Sequence, residues 1–220
     1  MNSIKFSLFT GCLFALFIGC FTSSCSQSQN SSPQSQDIVG GKCQGCEAVY
    51  EYRDISLTNS VTLPDYEHAT EKLKITGTIY QKDGQTPAKD VILYIYHTDA
   101  NGIYAKKGNE SGWGERHGYI RGWLKTDETG KYTIHTFRPA SYPNTTIVAH
   151  IHAVILESGL NPYYIDDFLF DDDQFLSEMQ RNNSKPKAGS GVMKLSKNED
   201  IPIGMRDIYL GKNIENYPIK

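Results

Sequence analysis

The stretch VAHIHAVIL, residues 148–156, decides how the chain is read. Side chains alternate across a strand, so His150 and His152 share one face with Val148, Val154 and Leu156. The opposite face carries Ala149, Ile151, Ala153 and Ile155. A run apolar on both faces reads as a buried central strand. An unpaired buried polar group costs roughly 1–3 kcal/mol. Two imidazoles side by side therefore call for a shared partner.

Outward from this strand, the chain is a series of short β-like runs separated by turn chemistry. LKITGTIY (73–80) enters the turn QKDGQTPAKD, and VILYIY (91–96) enters HTDANG. GYIRGWLKT (118–126) enters DETG, KYTIHTF (131–137) follows, and RPASYPN (138–144) leads into the histidine strand. After the turn ESGLNP, MRDIYLG (205–211) reads as a closing strand. DDDQFLSEMQRN (171–182) predicts one short helix beginning near Asp173. No long amphipathic helix and no solenoid-length repeat is present. The pattern predicts an all-β fold: a β-sandwich core of short antiparallel strands with long active-site loops and little helix.

The chain has 220 residues and a formal net charge of -3, with no basic run of the kind that marks a nucleic-acid partner. Residues 1–24 have one lysine, an apolar run and small residues before Cys25, the layout of a secretory signal peptide. The apolar run is too short and wrongly flanked for a transmembrane helix. FTSSC is similar to the lipobox of bacterial lipoproteins, which makes Cys25 the expected lipidation site, with Cys20 in FIGC a competing one. The Ser/Gln-rich stretch 25–38 then reads as a lipid-anchored flexible linker. The expected location is exported, in the cell envelope and facing the periplasm. Cys43 and Cys46 open an N-terminal segment over 39–70 that leads into a domain over 71–220. In an oxidising compartment they are expected to form a structural disulfide. The alternatives are a redox pair, which lacks its usual βαβ context, and a zinc site, which would need two more ligands.

Two tyrosines in loops sharpen the meaning of the histidines. Tyr104 ends DANGIY, and Tyr142 sits in RPASYPN between Pro139 and Pro143. Loops held by a rigid scaffold are where ligands are usually placed. Two imidazoles and two phenols suit a hard, highly charged cation, with iron(III) the natural choice, because such an ion favours phenolate over phenol. Soft thiolate ligands are absent, which argues against copper(I), zinc-finger and iron–sulfur sites. Taken singly, each tyrosine is as readily a packing aromatic.

In combination these motifs resemble one family. GTIYQKDGQTPAKDVILYIYHTDANGIY, IRGWLKTDETGKYTIHTFRPASYP and AHIHAVIL are similar to the intradiol ring-cleavage dioxygenases, the catechol and protocatechuate dioxygenases, over about residues 73–170. The resemblance implies a β-sandwich binding non-heme Fe(III) through Tyr104, Tyr142, His150 and His152. It implies that Tyr142 is the ligand released when a catecholate chelates the metal. The implied reaction inserts both atoms of O2 and opens the ring between its two hydroxylated carbons, giving a muconate-type diacid. Charge balance agrees with this: a ferric ion with two tyrosinates and a hydroxide is neutral, and stays so when a catechol binds as a dianion and protonates the hydroxide and Tyr142.

Two positions depart from the family pattern. Ile147 stands where an arginine is usual, and Asp167, in DDFLF, stands where a glutamine is usual. Both positions are expected to contact substrate, so the field over the ring differs from that of the family. Arg121 is the candidate replacement for the missing cation, with Arg116 and Arg138 as others. Arg121 and Trp123 of RGW either line the substrate mouth or pack as a cross-strand pair. His97 reads as a strand-end residue or a partner to the site, and His117 as a residue of a solvated loop. Asp171 to Asp173 lack the spacing of a calcium loop and read as a solvated turn or helix start. The competing function is a non-catalytic envelope lipoprotein that binds a catechol or phenolic ligand without turnover.

Overall fold

The computed structural model describes residues 38–196 and 200–219. The expected signal peptide, the Cys25 lipidation site and nearly all of the linker lie outside the described residues.

Among the described residues, eleven strands form two sheets. In chain order they are β1 (Ser60–Thr62), β2 (Lys72–Tyr80), β3 (Ile92–His97), β4 (Arg121–Lys125), β5 (Lys131–Phe137) and β6 (His150–Leu156). They continue as β7 (Tyr163–Tyr164), β8 (Phe168–Phe170), β9 (Val192–Met193), β10 (Ile203–Met205) and β11 (Ile208–Tyr209). The first sheet runs β1-β5-β2-β10, with β11 also on β2. The second runs β4-β3-β6-β8-β9, with β7 also on β6. The central pairs β2–β5, β3–β4 and β3–β6 are antiparallel, whereas β1, β9, β10 and β11 join their neighbours in parallel. An all-β sandwich results.

Strict alternation in β2 explains its placement. Leu73, Ile75, Gly77 and Ile79 are buried and the residues that alternate with them are half-buried. Leu73, Ile75 and Ile79 meet Ile134 of β5, Leu93 and Ile95 of β3, and Ile151, Ala153 and Ile155 of β6 in one core. Each such side chain contributes roughly 1.5–3 kcal/mol by leaving water. β3 is buried along its whole length, because its other face is covered too. There Ile92, Tyr94, Tyr96 and Val154 pack under Cys46, Ala48 and Val49 of a 3-10 helix, Cys46–Tyr52. The segment that leads into the domain thus roofs the outer face of the second sheet. Cys43 and Cys46 are disulfide-bonded at its start, with their Cα atoms 5.6 Å apart.

Three expectations are corrected. The closing strand is broken in two at Arg206, because the backbone there comes so near β2 that a Cβ on Gly77 would lie 1.8 Å from the Arg206 carbonyl oxygen. The helix expected near Asp173 begins later, as α2 (Glu178–Arg181), where Ser177 supplies a capping box with Gln180. His117 does not lie in a solvated loop. It ends a short helix, α1 (Gly114–His117), and is buried on the outer-face aromatic cluster.

Candidate metal centre

Two turns and one strand bring the donors together. In β6, His150 and His152 point to the outer face while Ile151 and Ala153 fill the core. The Asp99 side chain builds the Tyr104 loop, accepting from the backbone N–H groups of Asn101 (2.8 Å) and Ile103 (3.0 Å). Gly102 has φ of +76°, and a Cβ there would lie 2.0 Å from the Ser141 carbonyl oxygen. Only glycine lets this loop lie directly against the one that carries Tyr142. The Ala140 N–H donates to the Asp99 carbonyl at 3.1 Å and closes the pair of loops. Asp173 accepts from the Ala149 N–H at 3.0 Å, which fixes the entry to β6.

Four donor atoms converge. Tyr104 Oη lies 2.5 Å from Tyr142 Oη and 2.8 Å from His152 Nε2. Tyr142 Oη lies 3.2 Å from His150 Nε2, and the two Nε2 atoms are 3.1 Å apart. The tautomers follow from the other ring nitrogens. His150 Nδ1–H donates to the Val148 carbonyl at 2.7 Å, and His152 Nδ1–H donates to Asp167 Oδ1 at 3.0 Å. In a neutral ring the bonded Nδ1 carries the proton, and Nε2 then presents its lone pair. Each Nε2 has a phenol hydroxyl within reach, Tyr104 for His152 and Tyr142 for His150, and a cation among the four would serve both nitrogens at once.

The spacing fits a metal as well. Donors held about 2.0–2.1 Å from one ion stand about 2.8–3.4 Å apart. Three of the four separations fall in that range, and the fourth is a phenol–phenol hydrogen bond whose proton a metal would displace. Burial pushes the Tyr104 hydroxyl far above the usual phenol range, and pushes Tyr142 up as well. It holds His150 below its ordinary value. Burial thus favours the neutral form of both phenols and of His150, and a trivalent ion would supply the charge that two phenolates need. Asp167 reaches the far nitrogen of His152, which orients the ring as outer carboxylates do at metal-bound histidines.

A profile of the dioxygenase family matches residues 49–202, well beyond the motif-bearing stretch 73–170 at both ends. The chain is a member of the intradiol ring-cleavage dioxygenase family. Among solved structures it is similar to the dioxygenase domain of a dioxygenase–carbohydrate-binding protein fusion from Streptomyces sp. SirexAA-E. That match has 18% identity and a TM-score of 0.52, and covers 72% of this chain and 90% of the other. It is also similar to catechol 1,2-dioxygenase from Acinetobacter sp. ADP1 (17%, TM-score 0.54, covering 74% and 61%). The Acinetobacter radioresistens catechol 1,2-dioxygenase matches in the same way (16%, TM-score 0.54, covering 73% and 59%). At these identities the likeness is one of fold. The chain spans about three-fifths of the two Acinetobacter proteins.

In this family member a cavity of about 480 Å³ reaches Tyr142, His150 and His152. Ile147 and Asp167, the two departures from the family pattern, both line it. A larger groove of about 830 Å³, around Leu73, Arg138 and Pro202, touches none of the four donors. Arg121 and Trp123 share the outer face with the histidines but do not line this cavity. Arg121 Nη1 donates to Glu51 Oε2 at 2.5 Å, and Trp123 Nε1 donates to the Ala48 carbonyl at 3.1 Å. With the guanidinium 5.2 Å from the indole, they pack together and hold the roof, but as neighbours on the same face of β4 rather than as the expected cross-strand pair. Arg138 is ion-paired with Asp172 at 2.8 Å.

Sequence reasoning missed the aromatic layer beside the donors. Tyr96 stands opposite His152 in the β3–β6 register and stacks on it at 4.5 Å. His117 stacks on Tyr96 at 3.8 Å, with Tyr94 Oη 2.8 Å from its Nδ1. Burial lowers the His117 pKa to about 4, so the ring is neutral. Tyr164 donates to the Gln44 carbonyl at 2.9 Å and accepts from Tyr96 at 3.2 Å, joining this layer to the disulfide-bonded turn. The alternation in VILYIY put Tyr94 and Tyr96 on one face. Nothing local announced that His117 would cross the chain to meet them.

Proposed function

We propose that the protein is an iron(III)-dependent intradiol dioxygenase acting on a catechol-type aromatic. The observation that carries the reading is the convergence of two phenol oxygens and two imidazole lone pairs, with no proton available between the two nitrogens. Tyr104, Tyr142, His150 and His152 would hold the metal. Bound there, iron(III) supplies Lewis-acid activation of a catechol toward O2.

The chain's own residues account for the rest. Tyr142 is the more exposed phenol, carried on a loop that borders the cavity, and is placed to leave and take a catechol proton. Tyr104 is packed between Tyr96 and His152 and stays. Asp167 and the Val148 carbonyl keep both imidazoles presenting Nε2. The outer-face roof excludes water from the side opposite the cavity.

Purified protein given ferric iron is expected to develop a visible tyrosinate-to-iron band. Tyr104→Phe is expected to bleach or shift it, as is Tyr142→Phe. The loaded protein is expected to consume O2 with a catechol panel and to release a diacid with no added reductant. A colourless, iron-free protein after supplementation overturns the reading. A coloured protein that consumes no O2 with any catechol returns it to the non-catalytic binding alternative, which Ile147 and Asp167 favour.

A further inference from the structure

The cavity that opens onto Tyr142, His150 and His152 has an uneven charge. Two carboxylates, Asp166 and Asp167, line it, and among the described residues no lysine or arginine does. Its apolar wall is Ile147, Val148, Leu169 and Val192, with Ile147 half exposed. Gln180, Asn183 and Ser190 add neutral polar groups. The cations around it are engaged, turned outward or held behind the wall. Arg181 is paired with Asp171. Arg206 does not reach the cavity: it lies behind β8, buried over the Phe168 ring at 4.4 Å with no hydrogen-bond partner for its guanidinium among the described residues, and acts on Asp166 and Asp167 from behind the wall. Lys185 and Lys187 flank Pro186 at the rim with their side chains in solvent, and Lys187 is near enough to act on Asp166. The Asn183 amide donates to Asp166 Oδ2 at 3.3 Å, and Asp167 receives the His152 proton, so neither carboxylate has a cationic side chain as its hydrogen-bond partner.

We propose that this cavity selects catechols whose ring substituent is an amine or uncharged and rejects those bearing a carboxylate. The proposal rests on the catechol-binding reading above. A carboxylate carried into the cavity would meet two like charges and find no lining cation, and like-charge juxtaposition is what wall charges use to reject partners. An ammonium group meets Asp166 and Asp167 instead. The volume, about 480 Å³, is within the roughly 300–1,000 Å³ of ordinary ligand pockets and leaves room beyond a single ring for such a substituent. Ile147 and Asp167 act in the same direction: relative to the Arg and Gln of the family pattern, each makes the wall one charge more negative.

The test is an equilibrium titration of the iron-loaded protein under nitrogen, where no turnover occurs, following the shift of the visible band. Three probes that share a two-carbon link on the ring are compared: dopamine, 4-ethylcatechol and 3-(3,4-dihydroxyphenyl)propionate. Dopamine is expected to bind at least about tenfold more tightly than the propionate, with 4-ethylcatechol between. Salt is expected to narrow the gap. Asp166→Asn should shrink it as well, and Lys187→Gln should keep the order. Equal affinities, or a preference for the propionate, overturn the charge inference while leaving the catechol reading in place. If none of the three moves the band, the catechol reading falls and this inference with it.

Discussion

At the scale of the residue, the site depends on which nitrogen of each histidine carries the proton. The Val148 carbonyl settles this for His150 and the Asp167 carboxylate for His152. Outer partners of this kind are worth about 10–100-fold in metal affinity. Asp167→Ala is therefore expected to weaken iron binding by that factor in competition with a chelator. Asp167→Asn, which keeps an acceptor oxygen, should lose less; equal retention of iron by all three proteins would refute the role. His97 tests a different consequence of burial. Its Nδ1–H donates to the Thr98 carbonyl and its Nε2 accepts from the Thr136 hydroxyl, both at 2.6 Å. Burial lowers its pKa to about 4 from the ordinary 6.5. The unfolded chain takes up the proton first, so stability from this group is fully present above about pH 6.5 and is lost as pH falls toward 4. The loss approaches about 3 kcal/mol. Urea unfolding at neutral pH and near pH 4.5 should show a steeper decline than in His97→Asn; parallel declines would remove His97 as the cause.

At the scale of the element, the loops carry the precision and the strands carry the support. Gly102→Ala must accept both a positive φ and a carbonyl oxygen 2.0 Å from its new Cβ. It is expected to cost roughly 2–4 kcal/mol and to lower iron retention, since the Tyr104 loop must lift away from the Tyr142 loop. Unchanged thermal stability with full colour would show that the two loops are not coupled through this contact. The strands were legible because their signal is local. LKITGTIY alternates with a period of two, the histidine strand is apolar on both faces, and β2 and β6 fall within two residues of the expected bounds. Tyr104 and Tyr142 were legible as loop residues for the same reason. What was hidden depends on distant partners. Arg206 splits the last strand because β2 offers Gly77 at that level, and Trp123 reaches the Ala48 carbonyl 75 residues away. Asp167 was legible as an unusual residue at the site, but its bond to His152 depends on β8 pairing with β6.

At the scale of the whole molecule, the protein has two cores on either side of the second sheet, and the donors lie at the edge of the outer one. The inner core is mainly aliphatic, with Tyr132, Phe137, Tyr163, Phe168 and Phe170 among its buried side chains. The outer is rich in tyrosines and tryptophans under a disulfide-bonded helix, and ends at two phenol oxygens and two imidazole nitrogens within hydrogen-bond distance of one another. A bound ion would join the loop after β3, the loop before β6 and β6 itself at one point, so binding free energy becomes folding free energy. With iron at a thousandfold its dissociation constant, the gain is about 4 kcal/mol, which for a domain of this size is a rise of roughly 8–16 °C in unfolding temperature. Removing iron with a strong chelator should reverse the rise in the native protein. The same chelator should leave the unfolding temperature of a Tyr104→Phe/Tyr142→Phe double variant where it was. If the double variant gains as much from iron as the native chain, the ion is held elsewhere and the four donors are only a packing arrangement.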